Sequence, residues 1–299
     1  MAVALLLHHL LDGNQTVHFL SKSCACRRPF TLRPIRVTMS HNQSYWTSIN
    51  GEIEAHLKQA IPLRPPLEVF EPMSHLVLSA PETTAPALCV AACELVGGHR
   101  DQSIATASAL HLMYTASFVH EQLPLTDRPR PKSRPTIHHA YSPNIELLIP
   151  DAMVPFGFEL LAKADDPTQT NSDRILRVML EIARAMGSQG MVEGQYHELE
   201  SSSQWDNAWI EHVCKKKDGG LHACAATCGA ILGGGGEEEI EKLRRFGLYV
   251  GMIRGMSHGI GKKEKGLVRV VEELRNLALQ ELEEFEGGKL EAISSFVNA

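Results

Sequence analysis

The stretch CAATCGAILGGGGEEEIEKLRRFGLYVGMI, residues 224–253, carries the clearest indication of fold class in the sequence. Small and apolar residues fill positions 220–232, and the four glycines at 233–236 then interrupt them. Three acidic residues, Glu237–Glu239, follow the glycines, and a pair of arginines comes later. Acidic side chains stabilise the amino-terminal end of a helix, where the helix dipole is positive. The stretch therefore predicts two helical segments joined by a glycine-rich break.

Helical spacing also dominates the rest of the chain, and strand patterns are almost absent. Residues 44–61 carry apolar side chains three or four positions apart, which predicts an amphipathic helix: Trp46, Ile49, Ile53, Leu57 and Ile61. The proline-rich run 61–73 predicts a connector. Further helices are expected over 84–95, over about 101–121, over about 143–163 and over about 267–285. Asp101 is a candidate cap for the second of these. Another helix is expected to begin at a cap formed by Ser172 or Asp173. Together these segments predict an all-α bundle of about ten helices without an internal repeat.

The first 40 residues differ in composition from the remainder. The chain has 299 residues, of which 43% are apolar and 21% charged, as expected of a globular protein with a substantial core. Residues 1–40 contain five basic residues against one acidic residue, Asp12, and open with the apolar run MAVALLL. This pattern is typical of an organelle transit peptide. A secretory signal, which would need a basic residue before the apolar run, and a disordered tail are the alternatives. Residues 41–299 are predicted to form a single domain.

The charge and cysteine content of residues 41–299 exclude several classes of protein. Subtracting the first segment from the totals of 29 basic and 35 acidic residues leaves 24 and 34, which argues against a nucleic-acid surface. No apolar run approaches the ~20 residues that span a bilayer. Five cysteines remain, an odd number that does not suggest a disulfide framework in a chain of this length. A reducing compartment is the simpler expectation.

Four of these cysteines form two C-x3-C pairs, Cys89 with Cys93 and Cys224 with Cys228. Residues four apart lie on one face of a helix, so each pair presents both thiols in the same direction. Cysteine is readily buried, and the neighbouring alanines would let helices approach closely, so packing in the core or at a helix contact is the favoured interpretation. A zinc site or a redox pair remains the alternative.

Several motifs along the chain resemble those of the plant geranylgeranyl diphosphate synthases, which are trans-prenyltransferases. The motifs are CVAACELVGG, SFVHEQLPLTD, RPT, PDAM, EGQ and CGAILGGGGEEEIEKLRRFGLYVG, in the order and spacing of that family. The resemblance covers about residues 45–290. It implies the all-α isoprenoid synthase fold and a subunit interface formed by helices.

The metal-binding motifs of that family are degenerate in this sequence. The first aspartate-rich motif, D-D-x4-D, falls on Glu121, Gln122 and Asp127, of which only Asp127 matches. The second, F-Q-x-x-D-D, falls on residues 254–259, where no residue matches. The family loop G-G-K-x-R-P, which grips a diphosphate, falls on residues 80–86 and has lost its cations.

Two family positions survive elsewhere, Gln195 and Lys217. With Glu121 and Asp127 they make up the residual diphosphate-site positions that the resemblance implies. Without the resemblance, the Lys215–Lys217 run would be interpreted as a solvated helix end. The HELE run that begins at His197 lacks the second histidine of a metalloprotease helix, so that chemistry is not supported.

These losses bear directly on the reaction. Chain elongation ionises an allylic diphosphate, and Mg²⁺ ions held by carboxylates neutralise the leaving group. Removing one stabiliser of such charge commonly costs ~10²–10³ in rate. With one motif reduced and the other without an acid, we expect the chain to have no turnover alone and to bind no cofactor itself, Mg²⁺ being bound by a partner subunit.

The lost aspartates and paired C-x3-C motifs together resemble the small subunits that plants carry beside catalytic geranylgeranyl diphosphate synthases. The resemblance implies a plastid heteromer in which this chain binds a catalytic (large) subunit and shifts its output towards geranyl diphosphate, the monoterpene precursor. It also implies that Cys89, Cys93, Cys224 and Cys228 belong to the subunit interface. Two alternatives stay open, a prenyltransferase with altered metal ligands and a thiol-dependent zinc or redox protein.

Overall fold

The computed structural model describes residues 41–123, 140–164, 171–200, 206–261 and 265–298, all within one compact unit. These ranges contain helices and no strand. The twelve α-helices among the described residues are α1 His41–Ala60, α2 Leu67–Ser79, α3 Ala85–Leu95, α4 Asp101–Gln122, α5 Pro143–Lys163, α6 Ser172–Met186, α7 Met191–Glu200, α8 Asn207–Cys214, α9 Gly220–Gly233, α10 Glu237–His258, α11 Val268–Gln280 and α12 Leu290–Ser294. A π-helical turn, Lys215–Gly219, joins α8 to α9, and short 3-10 turns cover Lys265–Leu267 and Ser295–Asn298. The predicted all-α fold is confirmed.

The glycine-rich break separates α9 from α10 as the sequence predicts. Gly234 ends α9 with a φ of +84°, a left-handed conformation that glycine adopts without steric cost. At the start of α10, the backbone N–H of Gly236 donates to the Glu239 carboxylate over 2.7 Å. That bond satisfies a backbone donor at the start of α10 and explains why an acid is favoured in the first turn.

Helix α9 lies at the centre of the unit, packed between α3 and α10 and also touching α4 and α6. The helix is almost entirely buried. At Gly247 of α10, a Cβ would lie 2.4 Å from the carbonyl oxygen of His222, so the α9 and α10 backbones are in direct contact there. The predicted apolar face of α1 is confirmed, since Ile49, Ile53 and Leu57 are all buried. This central helix and its neighbours position the groups described below.

One predicted connector is wrong. Residues 67–79 form α2, which begins after Pro66 and contains Pro72. A proline removes one backbone donor and strains the preceding turn. The helix nevertheless buries an apolar face that outweighs this cost, made of Met73, Leu76 and Val77.

Several predicted helix ends also need correction. Asp101 is the first residue of α4 and not its cap, because Arg100 before it already has helical dihedral angles. Asn171 precedes α6, whereas Ser172 and Asp173 lie inside it. Helix α11 ends at Gln280 rather than near Phe285, and the chain then turns towards α12. The differences at α4 and α6 are within the one or two residues by which helix ends are ambiguous, whereas α11 ends about five residues earlier than predicted.

None of the helices in the described part of the chain is both long and apolar enough to cross a bilayer. The predicted transit segment, residues 1–40, lies outside the described residues. Asp127 lies outside them as well.

Candidate functional site: a self-neutralised diphosphate site

Three of the four residual diphosphate-site positions converge on the inner side of α4 and α7. Glu121 occupies the last turn of α4, Gln195 lies on α7 and Lys217 lies on the π-helical turn before α9. The Lys217 Nζ atom lies 2.5 Å from Glu121 Oε1, and the Gln195 amide donates to the same oxygen over 2.9 Å. The Gln195 amide also donates to the Ser117 hydroxyl over 2.7 Å.

A third charged residue, Glu198, completes the group. Its Oε2 atom lies 2.8 Å from Lys217 Nζ, so the ammonium is shared between two carboxylates. The three side chains are largely withdrawn from solvent, with exposures of 9% for Lys217, 17% for Glu121 and 12% for Glu198. The Lys217 ammonium is therefore already paired with two carboxylates, which makes it less available to a diphosphate. The interpretation of Lys215–Lys217 as a solvated helix end is wrong for Lys217, which is buried.

The second degenerate motif lies at the carboxyl end of α10. Arg254, where the family has phenylalanine, donates to the carbonyl oxygen of Glu82 over 2.9 Å. At Gly255 a Cβ would lie 2.9 Å from Asp218 Oδ2 and 2.9 Å from Cys214 Sγ. This end of α10 is therefore packed directly against the π-helical turn, and any larger side chain at position 255 would collide with it.

The loop that would grip a diphosphate is used for packing instead. Thr84 Oγ1 lies 2.9 Å from Nε2 of His222, a fully buried histidine on α9. The Nδ1 atom of His222 lies 2.7 Å from the Asp218 carbonyl oxygen. A carbonyl only accepts, so Nδ1 carries the proton, and Nε2 accepts from the Thr84 hydroxyl. Burial disfavours the charged imidazolium and lowers the pKa of His222 to about 4.

A cavity of about 440 Å³ opens beside this loop, between α1, the end of α2 and the carboxyl-terminal residues. Its walls include apolar side chains from α1 and the carboxyl terminus, among them Trp46, Ile53 and Phe296. Glu54 and Glu82 also line it, and Arg254 is its one lysine or arginine among the described residues. Two carboxylates in the wall do not suit a bound diphosphate.

The two cysteine pairs meet where α3 crosses α9. The side chains of Cys89, Cys93 and Cys228 are fully buried, and that of Cys224 is 3% exposed. The Cys224 and Cys228 sulfur atoms are 3.8 Å apart, and all four thiols are free. The prediction that these cysteines pack in the core at a helix contact is confirmed.

The thiol-based zinc and redox interpretations receive no support from this arrangement. Burial raises the pKa of the Cys89 thiol well above its ordinary value, and that of Cys228 likewise, so both remain protonated at neutral pH. In the described ranges, no three of the cysteines lie close enough to share a metal ion. A thiolate is the form that attacks disulfides and binds metals, so burial disfavours both reactions at Cys89 and Cys228.

Comparison with known proteins assigns the fold to a family. The sequence model of the polyprenyl synthetase family matches residues 67–253. This chain belongs to the polyprenyl synthetase family. The heterodimeric geranylgeranyl pyrophosphate synthase small subunit 2, chloroplastic, of Cannabis sativa is 56% identical over 283 residues, which cover 90% of this chain and 98% of that protein.

Two solved structures are similar to this chain over most of its length. The geranyl diphosphate synthase small subunit of Antirrhinum majus has a TM-score of 0.81 at 54% identity, covering 87% of this chain and all (100%) of that one. A mint deletion mutant of heterotetrameric geranyl pyrophosphate synthase, in complex with ligands, has a TM-score of 0.77 at 49% identity, covering 86% of this chain and 100% of that one. The expected resemblance to small subunits is confirmed.

Sequence reasoning identified the surviving family positions of this chain but missed their partners. Glu198 lies three residues after Gln195 and Ser117 four residues before Glu121, so helical spacing could have suggested both. His222 gave no sequence signal, because its burial depends on how α9 packs against the loop at Thr84. Whether the four cysteines act at a subunit interface stays a prediction.

Proposed function

We propose that this chain is the non-catalytic subunit of a heteromeric prenyl diphosphate synthase. It binds a catalytic geranylgeranyl diphosphate synthase (large) subunit and changes the length or amount of the prenyl diphosphate that this partner makes, in favour of geranyl diphosphate. The relatives support this reading, since the Cannabis protein is named as the small subunit of a heterodimeric synthase and the mint protein is described as part of a heterotetramer.

The observation that carries the proposal is the ion group in which Lys217 is paired with both Glu121 and Glu198. In a site that binds a diphosphate, the lysine must be available to the negative charge of the substrate. Here Glu121 and Glu198 already neutralise it, at 2.5 Å and 2.8 Å. The second motif offers no carboxylate for a metal between residues 254 and 259. A protein with this site retains the synthase fold without the charges that ionise a substrate.

The partner supplies what this chain lacks. We place the Mg²⁺ ions and both reacting diphosphates in the catalytic subunit, and we place the heteromer in the plastid, in line with the chloroplastic relative. In the family that the sequence resembles, the helices of the subunit interface also form walls of the cavity in which the prenyl chain grows. A different partner across that interface can move a wall slightly and so change which chain length is released.

The decisive experiment compares this chain alone with the chain bound to a catalytic plastid synthase. Each sample receives dimethylallyl and isopentenyl diphosphates with Mg²⁺, and the products are separated by chain length. We expect no product from the chain alone, stable co-purification of the two proteins, and a larger share of ten-carbon product from the complex than from the catalytic protein alone. Product from the isolated chain would instead support a prenyltransferase with altered metal ligands.

The cysteine pairs enter this proposal through packing. All four side chains are buried between α3 and α9, so they would act at the interface by setting the spacing of these helices. A variant with serine at Cys89, Cys93, Cys224 and Cys228 is expected to recover less catalytic subunit in a pull-down. Its own unfolding must be measured in parallel, since buried hydroxyl groups also destabilise a core. Undiminished association would remove the interface role.

A further inference from the structure

A cluster of metal-ligating side chains lies on the outer side of α7, away from the degenerate diphosphate site. Glu193 and His197 are four residues apart on α7 and so share one face of the helix, while Gln195 points to the opposite side. His212 on α8 approaches them across the gap between the two helices. One ligand atom from each of the three residues lies within 4.8 Å of the other two.

The two imidazole rings are already in contact. The rings of His197 and His212 meet edge to face, with centroids 4.9 Å apart and an interplanar angle of 89°. The side chain of His212 is 43% exposed and that of Glu193 is 30% exposed. An ion in solution can therefore reach the cluster, and the side chains retain room to rotate.

Lys216 holds the Glu193 carboxylate in place. Its Nζ atom lies 2.8 Å from Glu193 Oε2 and donates to the Gln189 carbonyl oxygen over 3.1 Å. The second carboxylate oxygen, Oε1, faces His212 Nε2 at 3.8 Å. The hydrogen bond from Lys216 is the largest cause that lowers the pKa of Glu193, so the carboxylate is ionised at neutral pH. One oxygen is thus fixed by the lysine while the other points to the histidines.

We propose that Glu193, His197 and His212 form a zinc-binding site that joins α7 to α8. Two imidazole nitrogens and one carboxylate oxygen are a ligand set that suits Zn²⁺, with a fourth position left for water. Zinc–ligand bonds of about 2.0–2.2 Å put tetrahedral ligand atoms roughly 3.3 Å apart. The ligand atoms lie within 4.8 Å of one another and must move closer on binding, which side-chain rotation at this partly exposed position allows.

The proposed site differs in chemistry from the magnesium sites of the synthase family. Mg²⁺ prefers six oxygen ligands and binds imidazole poorly, so the cluster should discriminate against it. The site is also independent of the diphosphate positions, because its ligands leave α7 on the other side from Gln195. A bound ion would connect α7 to α8.

Zinc titration of the full chain, without a polyhistidine tag and after dialysis against a chelator, tests the site. We expect isothermal titration calorimetry to show one Zn²⁺ per chain, and the midpoint of thermal unfolding to rise with zinc concentration. His197→Ala and His212→Ala should each weaken zinc affinity at least about 100-fold. His99→Ala, which removes an exposed histidine elsewhere, should leave the affinity unchanged, and Mg²⁺ should give no heat of binding.

Cobalt substitution identifies the ligands. Co²⁺ in the proposed site gives weak visible absorption bands and lacks the intense near-ultraviolet band of thiolate ligation. That band would show that cysteine thiolates bind the metal and would overturn the proposal. Zinc affinity that is the same in both histidine variants and the unmodified chain, or no zinc binding at all, would overturn it equally.

Discussion

Lys217 shows how one residue can keep its position in a family while its role changes. It occupies the position of a lysine in the second half of the synthase family, yet its ammonium lies between Glu121 and Glu198 in a partly dehydrated site. Removing the cation would leave two carboxylates close together without the ammonium that bridges them. In a buried setting an uncompensated charge costs more than the intact pair contributes.

We therefore predict that Lys217→Met lowers the free energy of unfolding by about 3 kcal/mol. Urea denaturation at pH 7 measures this loss. Lys215→Met serves as the matched control, because Lys215 is an exposed lysine on the same turn and its replacement should change stability by less than about 0.5 kcal/mol. Adding Glu198→Gln to the Lys217→Met variant should recover part of the loss. Equal effects of the two lysine substitutions would show that the ion group does not stabilise the folded chain.

His222 predicts how stability depends on pH. Its pKa in the folded chain is about 4, below the ordinary value of 6.5, because burial disfavours the charged ring. Between these two values the unfolded chain binds the proton and the folded chain does not, so stability falls as the pH drops through this window. The pKa values of His56 and His111 are lowered by burial too and act in the same direction.

We expect His222 alone to make the chain about 2 kcal/mol less stable at pH 5 than at pH 7. Urea denaturation at the two pH values measures the difference. The His222→Gln variant cannot take up the proton. Its loss of stability between pH 7 and pH 5 should therefore be smaller than that of the unmodified chain by about 2 kcal/mol. If the variant loses as much stability on acidification as the unmodified chain, the buried neutral histidine is not the cause.

Helices α3 and α9 pack against each other at very short range. At Gly229 an added Cβ would lie 2.0 Å from the carbonyl oxygen of Cys89, an approach no side chain tolerates. At Gly233 the corresponding distance to the Cys93 carbonyl oxygen is 2.6 Å. The helices are therefore in contact through their backbones, and the small residues around the cysteine pairs make this possible.

We predict that Gly229→Ala lowers the free energy of unfolding by about 2 kcal/mol, because α3 and α9 must separate to admit the methyl group. The same variant should bind the catalytic subunit more weakly if this helix pair positions the interface. Thermal denaturation and a pull-down measure the two effects. Gly51→Ala on α1 is the matched control, since a Cβ there meets nothing within 4 Å and should leave stability unchanged or raise it slightly. A Gly229 variant as stable as the control would contradict the close contact.

Both aspartate-rich motifs of the former diphosphate site are degenerate, the one at the end of α4 and the one at the end of α10. The first motif retains Glu121 on α4, and the end of α10 has Arg254, Gly255 and His258 where the family has metal-binding and flanking residues. A pair of facing carboxylate clusters is needed to hold several Mg²⁺ ions around one diphosphate. Repairing one side cannot supply the other.

Gln122→Asp is therefore expected to leave the isolated chain without prenyltransferase activity. Incorporation of radiolabelled isopentenyl diphosphate measures this directly, with a catalytic synthase as the positive control. Circular dichroism would confirm that the variant remains folded, because Gln122 is buried and an aspartate there is partly dehydrated. Synthesis restored by this one substitution would show that the second motif is dispensable.

Much of the fold could be predicted from the chain before any coordinates. The helix periodicity of residues 44–61, the acidic start of α10 and the glycine break before it are local features, and local sequence decides them. The errors arose where tertiary burial opposed local preference. Pro72 suggests a break, but the apolar face formed by Met73, Leu76 and Val77 keeps α2 intact. No local pattern reports that balance.

The sequence by itself determined the family, the all-helical architecture and the loss of the metal-binding aspartates, because these depend on residue identity and spacing. Only the tertiary structure decided what the remaining polar groups do. It brought Lys217 between Glu121 and Glu198, buried His222 against Thr84, and placed His212 of α8 beside Glu193 of α7. Each of these contacts joins residues from different helices or turns. The interaction between charges depends on their distance and burial, and neither can be read from positions along a chain.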